Sequence, residues 1–175
     1  LLGGLYLMCG SPTHHRYDIV SETHEAIERD DLVRELASQG ILENNSIIDP
    51  HATNIVYRAR CKDYVNICNN VSSRAVMKPE QAEKLFTHPI MQVVMSIARE
   101  WFKDEPIVSF HDAIAAVSIF HPEIFTFKRG YLDCVMDSKL LAGLTTFRED
   151  PNGPHKVAWT VDVDRFYDAL FGVFQ

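Results

Sequence analysis

Pro106-Ile107-Val108-Ser109-Phe110-His111-Asp112-Ala113-Ile114-Ala115-Ala116-Val117-Ser118-Ile119-Phe120 runs from an extended apolar lead, through a His-Asp pair, into an almost wholly apolar segment. Residues 106–110 read as a strand. Ala113 to Phe120 read as a helix closed by His121-Pro122. A helix apolar on every side is a buried one. A strand feeding directly into a buried helix marks an α/β protein, and open α/β sheets bind ligands at the carboxyl ends of their strands. A His at such a junction can protonate a leaving group near neutral pH. An Asp there can be a hard oxygen ligand for a divalent cation, or simply cap the helix.

The chain on either side follows the same plan. Upstream, Leu1 to Cys9 is an apolar run with a Gly pair, which suits a buried strand. Asp49-Pro50 is a strong helix start, and Ala52, Ile55, Val56 and Ala59 follow at helical spacing. A short strand is expected over 64–68. Helices are expected from Pro79, with Ala82, Leu85 and Phe86, and from Pro89, with Ile90, Val93, Val94, Ile97, Ala98 and Trp101 on one inward stripe. Downstream, strands are expected at about 125–136, 140–147 and 156–163, the last two joined by the turn Asp150-Pro151-Asn152-Gly153. The last of these alternates like a half-exposed strand. Asp164 then caps a final helix whose Phe166, Ala169, Leu170, Val173 and Phe174 point inward. Helices and strands alternate first and strands dominate later. The expectation is therefore α/β: a mixed, mostly parallel, Rossmann-like open sheet flanked by helices.

Composition narrows the function. The chain has 175 residues, enough for one domain with a sizeable core, and 46% of them are hydrophobic. Seventeen Lys and Arg against 24 Asp and Glu give a formal charge of -7. An acidic chain lacks the clustered cations that hold a nucleic-acid backbone, so a neutral or cationic small substrate fits better. Cys9, Cys61, Cys68 and Cys134 show no CxxC spacing and sit in apolar stretches. They read as reduced, buried thiols of a cytoplasmic protein. No apolar run reaches the ~18–20 residues of a membrane span, and no signal peptide is evident. The charged stretch 21–39 contains a candidate amphipathic helix over 30–39, and 12–40 reads as a surface insertion into a single domain spanning 1–175.

Two further places could carry chemistry. Glu43 and Asn45 stand two apart, so in extended chain they share a face. A carboxylate that accepts and an amide that both donates and accepts would suit vicinal hydroxyls. The same residues also fit a polar turn before a helix cap. Leu2-Gly3-Gly4 could let a backbone approach a sugar. No Gly-rich phosphate loop, HExxH, paired Cys ligands or GxSxG is present.

Taken in order, these features resemble the C-terminal half of the inosine–uridine-preferring nucleoside hydrolase family. The likeness rests on Leu2-Gly3-Gly4, Glu43-Asn44-Asn45, Asp49-Pro50-His51-Ala52, His111-Asp112-Ala113, Pro122-Glu123-Ile124-Phe125 and Val161-Asp162-Val163-Asp164-Arg165-Phe166. It covers most of 1–9 and 41–175. The resemblance implies hydrolysis of the N-glycosidic bond of a ribonucleoside, with purine or pyrimidine base and ribose as products. It implies that Glu43 and Asn45 hold ribose hydroxyls, that Asp112 ligates a catalytic Ca2+ and touches the ribose, and that His111 acts as general acid toward the base. Trp101 and Phe102 would be placed to stack on that base, although Trp101 on the helix stripe also reads as core.

The sequence departs from the family pattern in several places. The N-terminal aspartate cluster that supplies most metal ligands has no counterpart, so the N-terminal half of the fold is expected to be missing. Leu2 stands for the family's Met, Ser11 for its loop Asn, and Asn70 and Ser72 for its Asp-x-Thr. One Asp cannot furnish the roughly six to eight oxygens of a Ca2+ site. Two pictures follow. Either a complementary N-terminal half completes the enzyme, or the chain is an inactive relative acting as a binding or interaction module. An incomplete sheet would expose an apolar edge and face, so association with that half or with further copies of the chain is expected. The implied ligand is a nucleoside, with no nucleic acid or membrane involved.

Overall fold

The computed structural model describes residues 2–10, 42–138 and 141–174. Ser11, the candidate insertion at 12–40 and the helix expected over 30–39 lie outside the described residues.

Seven strands and seven helices are seen in the described residues. In chain order they are β1 (Leu2–Met8), α1 (Asn44–Ile48), α2 (Pro50–Tyr57), β2 (Cys61–Ile67), α3 (Asn69–Ser72), β3 (Val76–Met77), α4 (Pro79–Leu85), α5 (Pro89–Trp101), β4 (Val108–Ser109), α6 (His111–Phe120), β5 (Phe125–Cys134), β6 (Thr145–Glu149), β7 (His155–Val161) and α7 (Val163–Gly172). A 3-10 turn, Pro122–Ile124, leads into β5.

Five strands form one sheet in the order β1-β2-β7-β5-β6. β1 and β2 pair parallel, as do β2 and β7, whereas β5 runs antiparallel to both β7 and β6. Only β5 is therefore reversed, and the mixed, mostly parallel sheet expected from the sequence is present. β3 and β4 make a separate antiparallel pair that positions the lead into α6. Phe110 N donates to Ala75 O at 2.8 Å, tying that lead to the end of the loop after α3.

β2 shows why the sheet has three layers. Val65 and Ile67 point into a cluster with Val71, Ile114, Val117 and Phe166, under α6 and α7. Tyr64 and Cys68 point the other way, into a cluster with Tyr57 of α2, Leu132, Cys134 and Val157. A strand apolar on both faces belongs in the middle of an α/β sandwich. A third cluster, with Met77, Phe86, Met91, Met95 and Phe171, joins α4 and α5 to α7.

Several local expectations change. β2 begins at Cys61, before the apolar run, because its polar start pairs with β1 from Leu2↔Cys61 onward. β1 is an edge strand among the described residues, with Gly4 and Tyr6 exposed, and is not buried on both sides. β7 buries Val157 and Ala158 on opposite faces, so it is a covered strand and not a half-exposed one. Asp162, not Asp164, caps α7: its carboxylate accepts from Arg165 N at 3.2 Å, and Asp164 sits in the first turn. Val173, which follows the last residue of that helix, is exposed and does not point inward. α6 is not buried all round either, because Ile119 and Phe120 face solvent.

The largest reversal is in α5. Met91, Met95 and Ala98 face the core, whereas Ile90, Val93, Val94, Ile97 and Trp101 are exposed, Ile97 by 69%. Periodicity alone found a stripe but chose the wrong one, since Met is as good a core filler as the branched residues. All four cysteines are free thiols; Cys9, Cys68 and Cys134 are buried and Cys61 is half-buried. No helix of the described residues is long and apolar enough to cross a membrane.

Candidate active site

Three strands, β1, β2 and β7, point their carboxyl ends the same way, and the residues after β1 and β2 meet there beside β7. Asn69 N donates to Gly10 O at 2.9 Å, joining the chain just after β1 to the start of α3. Asn70 then donates through Nδ2 to Ala158 O at 3.2 Å and to Trp159 O at 3.3 Å, joining α3 to β7. An Asp at position 70 would turn acceptor oxygens toward two carbonyls. The amide of Asn70 thus suits the donor side of this contact, while its Oδ1 is buried without a partner among the described residues.

Glu43 organises the loop above β1. It is the N-cap of α1, with extended backbone, and it is 4% exposed. Its Oε1 accepts from Asn45 N at 2.9 Å. Its Oε2 accepts from Gly10 N at 3.1 Å, Ser46 N at 3.1 Å and Ser46 Oγ at 3.2 Å. Since a carboxylate only accepts, the Ser46 hydroxyl donates to it, and the Cys9 thiol donates to Ser46 Oγ at 3.0 Å. Burial raises the Cys9 thiol above its ordinary value, which keeps it a donor. Three donors therefore crowd Oε2, while Oε1 takes one and, among the described residues, keeps a lone pair open. Glycine is required at position 10, where φ is +86° and a Cβ would sit 2.5 Å from the Tyr57 hydroxyl.

Asn45 is not in extended chain beside Glu43. It lies in the first turn of α1, exposed, and its Nδ2 donates to Met8 O at 3.2 Å, at the end of β1. The helix arises because Glu43 and Asp49 cap successive helices: Asp49 accepts from Ala52 N at 2.8 Å and Pro50 occupies the first position of α2.

His111 opens α6 and is half-buried, while Asp112 in the same first turn is exposed. His111 Nδ1 meets Ser72 Oγ at 2.8 Å, and Ser72 is wholly buried at the end of α3. The His-Asp pair therefore joins the same end of the sheet as Gly10, Asn45 and Asn70, through α3. Trp101 is tied to the same lead, since its Nε1 donates to Ile107 O at 2.8 Å. Its ring stands half-exposed on the outer side of α5 and is not core. Phe102 packs with the Met91 and Met95 cluster. Sequence reasoning missed Ser72 as the partner of His111. The two are 39 residues apart, and no periodic pattern links them.

Among the described residues no group of three or more His, Cys, Asp or Glu side chains is arranged to hold a metal ion. Asp112 alone does not fit the oxygen shell of Ca2+.

A concavity of about 770 Å3 lies at the opposite end of the sheet, around Arg58, Arg60, Tyr64, Tyr131 and Arg148. Its cations are partly engaged. Arg58 lies 3.9 Å from Asp133, and Arg148 stacks on Tyr131 and pairs with Asp150 at 3.3 Å. His155 forms its floor. Leu132 N donates to His155 Nδ1 at 2.9 Å, so Nε2 carries the hydrogen and donates to Tyr57 O at 2.8 Å. Burial pulls the His155 pKa below the ordinary imidazole value.

An open α/β sheet with polar side chains gathered at the carboxyl ends of its parallel strands is a small-ligand-binding architecture. The sequence model of the inosine-uridine preferring nucleoside hydrolases matches residues 1–168, and the chain belongs to that family. Solved structures agree in fold. A purine-preferring ribonucleoside hydrolase from Gardnerella vaginalis is 19% identical with a TM-score of 0.63, over 74% of this chain and 45% of its own. An inosine-uridine preferring nucleoside hydrolase from Bacillus anthracis is 16% identical with a TM-score of 0.65, over 95% and 49%. The plant nucleoside hydrolase PpNRh1 is 22% identical with a TM-score of 0.58, over 73% and 46%. The chain spans about half the length of these structures. No curated protein sequence matches it.

Proposed function

We propose that this chain carries part of the active site of a nucleoside hydrolase, which splits the N-glycosidic bond of ribonucleosides into free base and ribose. The observation that carries the reading is the His111-Asp112 pair at the start of α6, joined through Ser72 to the carboxyl ends of β1, β2 and β7. Asn45 presents its amide beside Met8 O at the end of β1, where it would accept from a ribose hydroxyl. Asp112, exposed in the first turn, would accept from the sugar diol. His111 would direct its second ring nitrogen at the leaving base and offset the charge that develops there as the bond breaks. Glu43 would shape the ribose loop, with its oxygens shared between that loop and the sugar. Trp101 would close the base side.

Calcium belongs to this reading. Such an ion, when bound, would supply positive charge to hold a sugar diol and to activate a water. Asp112 would give it one oxygen, and the others would come from outside the described residues. The partner implied is a complementary N-terminal half of the fold or a second copy of the chain, and the site of action is the cytoplasm. Residues 1–175 would form one domain, with 12–40 inserted beside the ribose loop. A second reading, an inactive relative serving as a binding module, is favoured by Glu43, whose carboxylate already accepts four internal hydrogen bonds.

Release of free base from a panel of ribonucleosides tests the proposal, with calcium and with a chelator control. Release that the chelator abolishes is expected from the native protein, with losses on the order of 10²-fold or more in His111→Ala and Asp112→Ala. Nucleoside binding without release would turn the account to the second reading.

A further inference from the structure

We propose that Ser72 is a positioning residue that fixes the ring plane and the tautomer of His111, so that Nε2 bears the hydrogen and faces outward as a donor. The inference rests on the proposed role of His111 and extends it to a residue that never touches substrate. Ser72 has no solvent exposure, and a buried hydroxyl must place its hydrogen on an acceptor. Its Oγ lies 2.8 Å from His111 Nδ1. Its own backbone is committed elsewhere: Ser72 N donates to Cys68 O at 3.0 Å and Ala75 N donates to Ser72 O at 3.2 Å. The hydroxyl therefore donates to Nδ1, and the neutral imidazole carries its hydrogen on Nε2.

The support behind Ser72 is rigid. α3 leaves β2 at Cys68, which is wholly buried, and is held to β7 through Asn70 and to Gly10 through Asn69. From the other side, Phe110 N is bonded to Ala75 O, three residues after Ser72. Ser72 and His111 thus lie on two segments pinned together by the Phe110–Ala75 bond, close to it on either side. A hydroxyl at position 72 sets which nitrogen of His111 is a donor, and an alkyl group there would leave the choice open. Thr, which the resembling family carries at the corresponding position, keeps the hydroxyl.

The test is a long-range 1H–15N spectrum of the 15N-histidine-labelled protein at pH 8.5, with His111 assigned by its loss in His111→Gln. A single tautomer with an unprotonated, hydrogen-bonded Nδ1 is expected. In Ser72→Ala the Nδ1 resonance should move toward its unbonded position and the tautomers should mix, while Ser72→Thr keeps the native pattern. His155, with both ring nitrogens engaged, reports whether each variant is folded. An averaged His111 in the unmodified protein overturns the proposal, and so does an unchanged His111 in a folded Ser72→Ala. Should Ser72→Ala not fold, the native spectrum and that of Ser72→Thr decide the matter. None of these signals depends on turnover, so an inactive protein with an ordered His111 would contradict only the proposed function.

Discussion

At the scale of single residues, polar side chains inside the fold do the positioning, and the polarity of their partners fixes which residue can stand there. Asn70 gives both amide hydrogens to carbonyls of β7. Asn70→Asp should cost about 1–3 kcal/mol by leaving those carbonyls facing an acceptor, seen as a lower urea midpoint at pH 7. His155 is held neutral between Leu132 N and Tyr57 O, with its pKa depressed chiefly by burial. An unfolded His takes up a proton near pH 6.5, whereas the folded one resists until lower pH. The stability this group contributes is complete above about pH 6.5 and is lost as the pH falls from there through the folded value. Denaturant unfolding between pH 8 and 5 should show that slope, and His155→Gln should flatten it. The candidate pair His111-Asp112 was legible because two adjacent residues mark a strand-to-helix junction. Ser72 and His155 were not, since their partners are set by tertiary pairing across 39 and 98 residues.

Elements were legible where a cap or a proline announced them. Asp49-Pro50, Pro79 and Pro89 each begin a helix where the sequence places it. What the pattern could not fix was which side of a helix meets the core. α5 carries two apolar stripes, and the structure buries Met91 and Met95 while Val93, Val94 and Ile97 face outward. The two faces should respond oppositely. Met95→Ala should cost about 2–4 kcal/mol by opening a cavity. Ile97→Glu should change stability by no more than about 0.5 kcal/mol and reduce self-association in sedimentation velocity. A large loss of stability in Ile97→Glu would mean that this face is covered in the isolated chain. Glu43 and Asn45 show a related limit. Their two-residue spacing suggested one extended face, but capping by Glu43 folds Asn45 into a helix and separates their directions.

At the scale of the whole molecule, one sheet carries two different ends. The carboxyl ends of β1, β2 and β7 gather Gly10, Asn45, Asn70 and, through Ser72, His111. The other end holds a cleft of about 770 Å3 with three arginines. The cleft favours that end; the direction of the strands and the His-Asp pair favour the first. The α/β class was readable in advance because it follows from the alternation of strands and helices. The reversal of β5 was not, because it depends on long-range register. Mapping where a ribonucleoside binds separates the two ends most directly. Inosine titrated into the isotope-labelled protein with calcium should shift the resonances of Asn45, Ser72, His111 and Asp112 and leave Arg60 and Tyr131 unmoved. Shifts confined to Arg60, Tyr131 and Arg148, or none at saturating inosine, would contradict the assignment of the site.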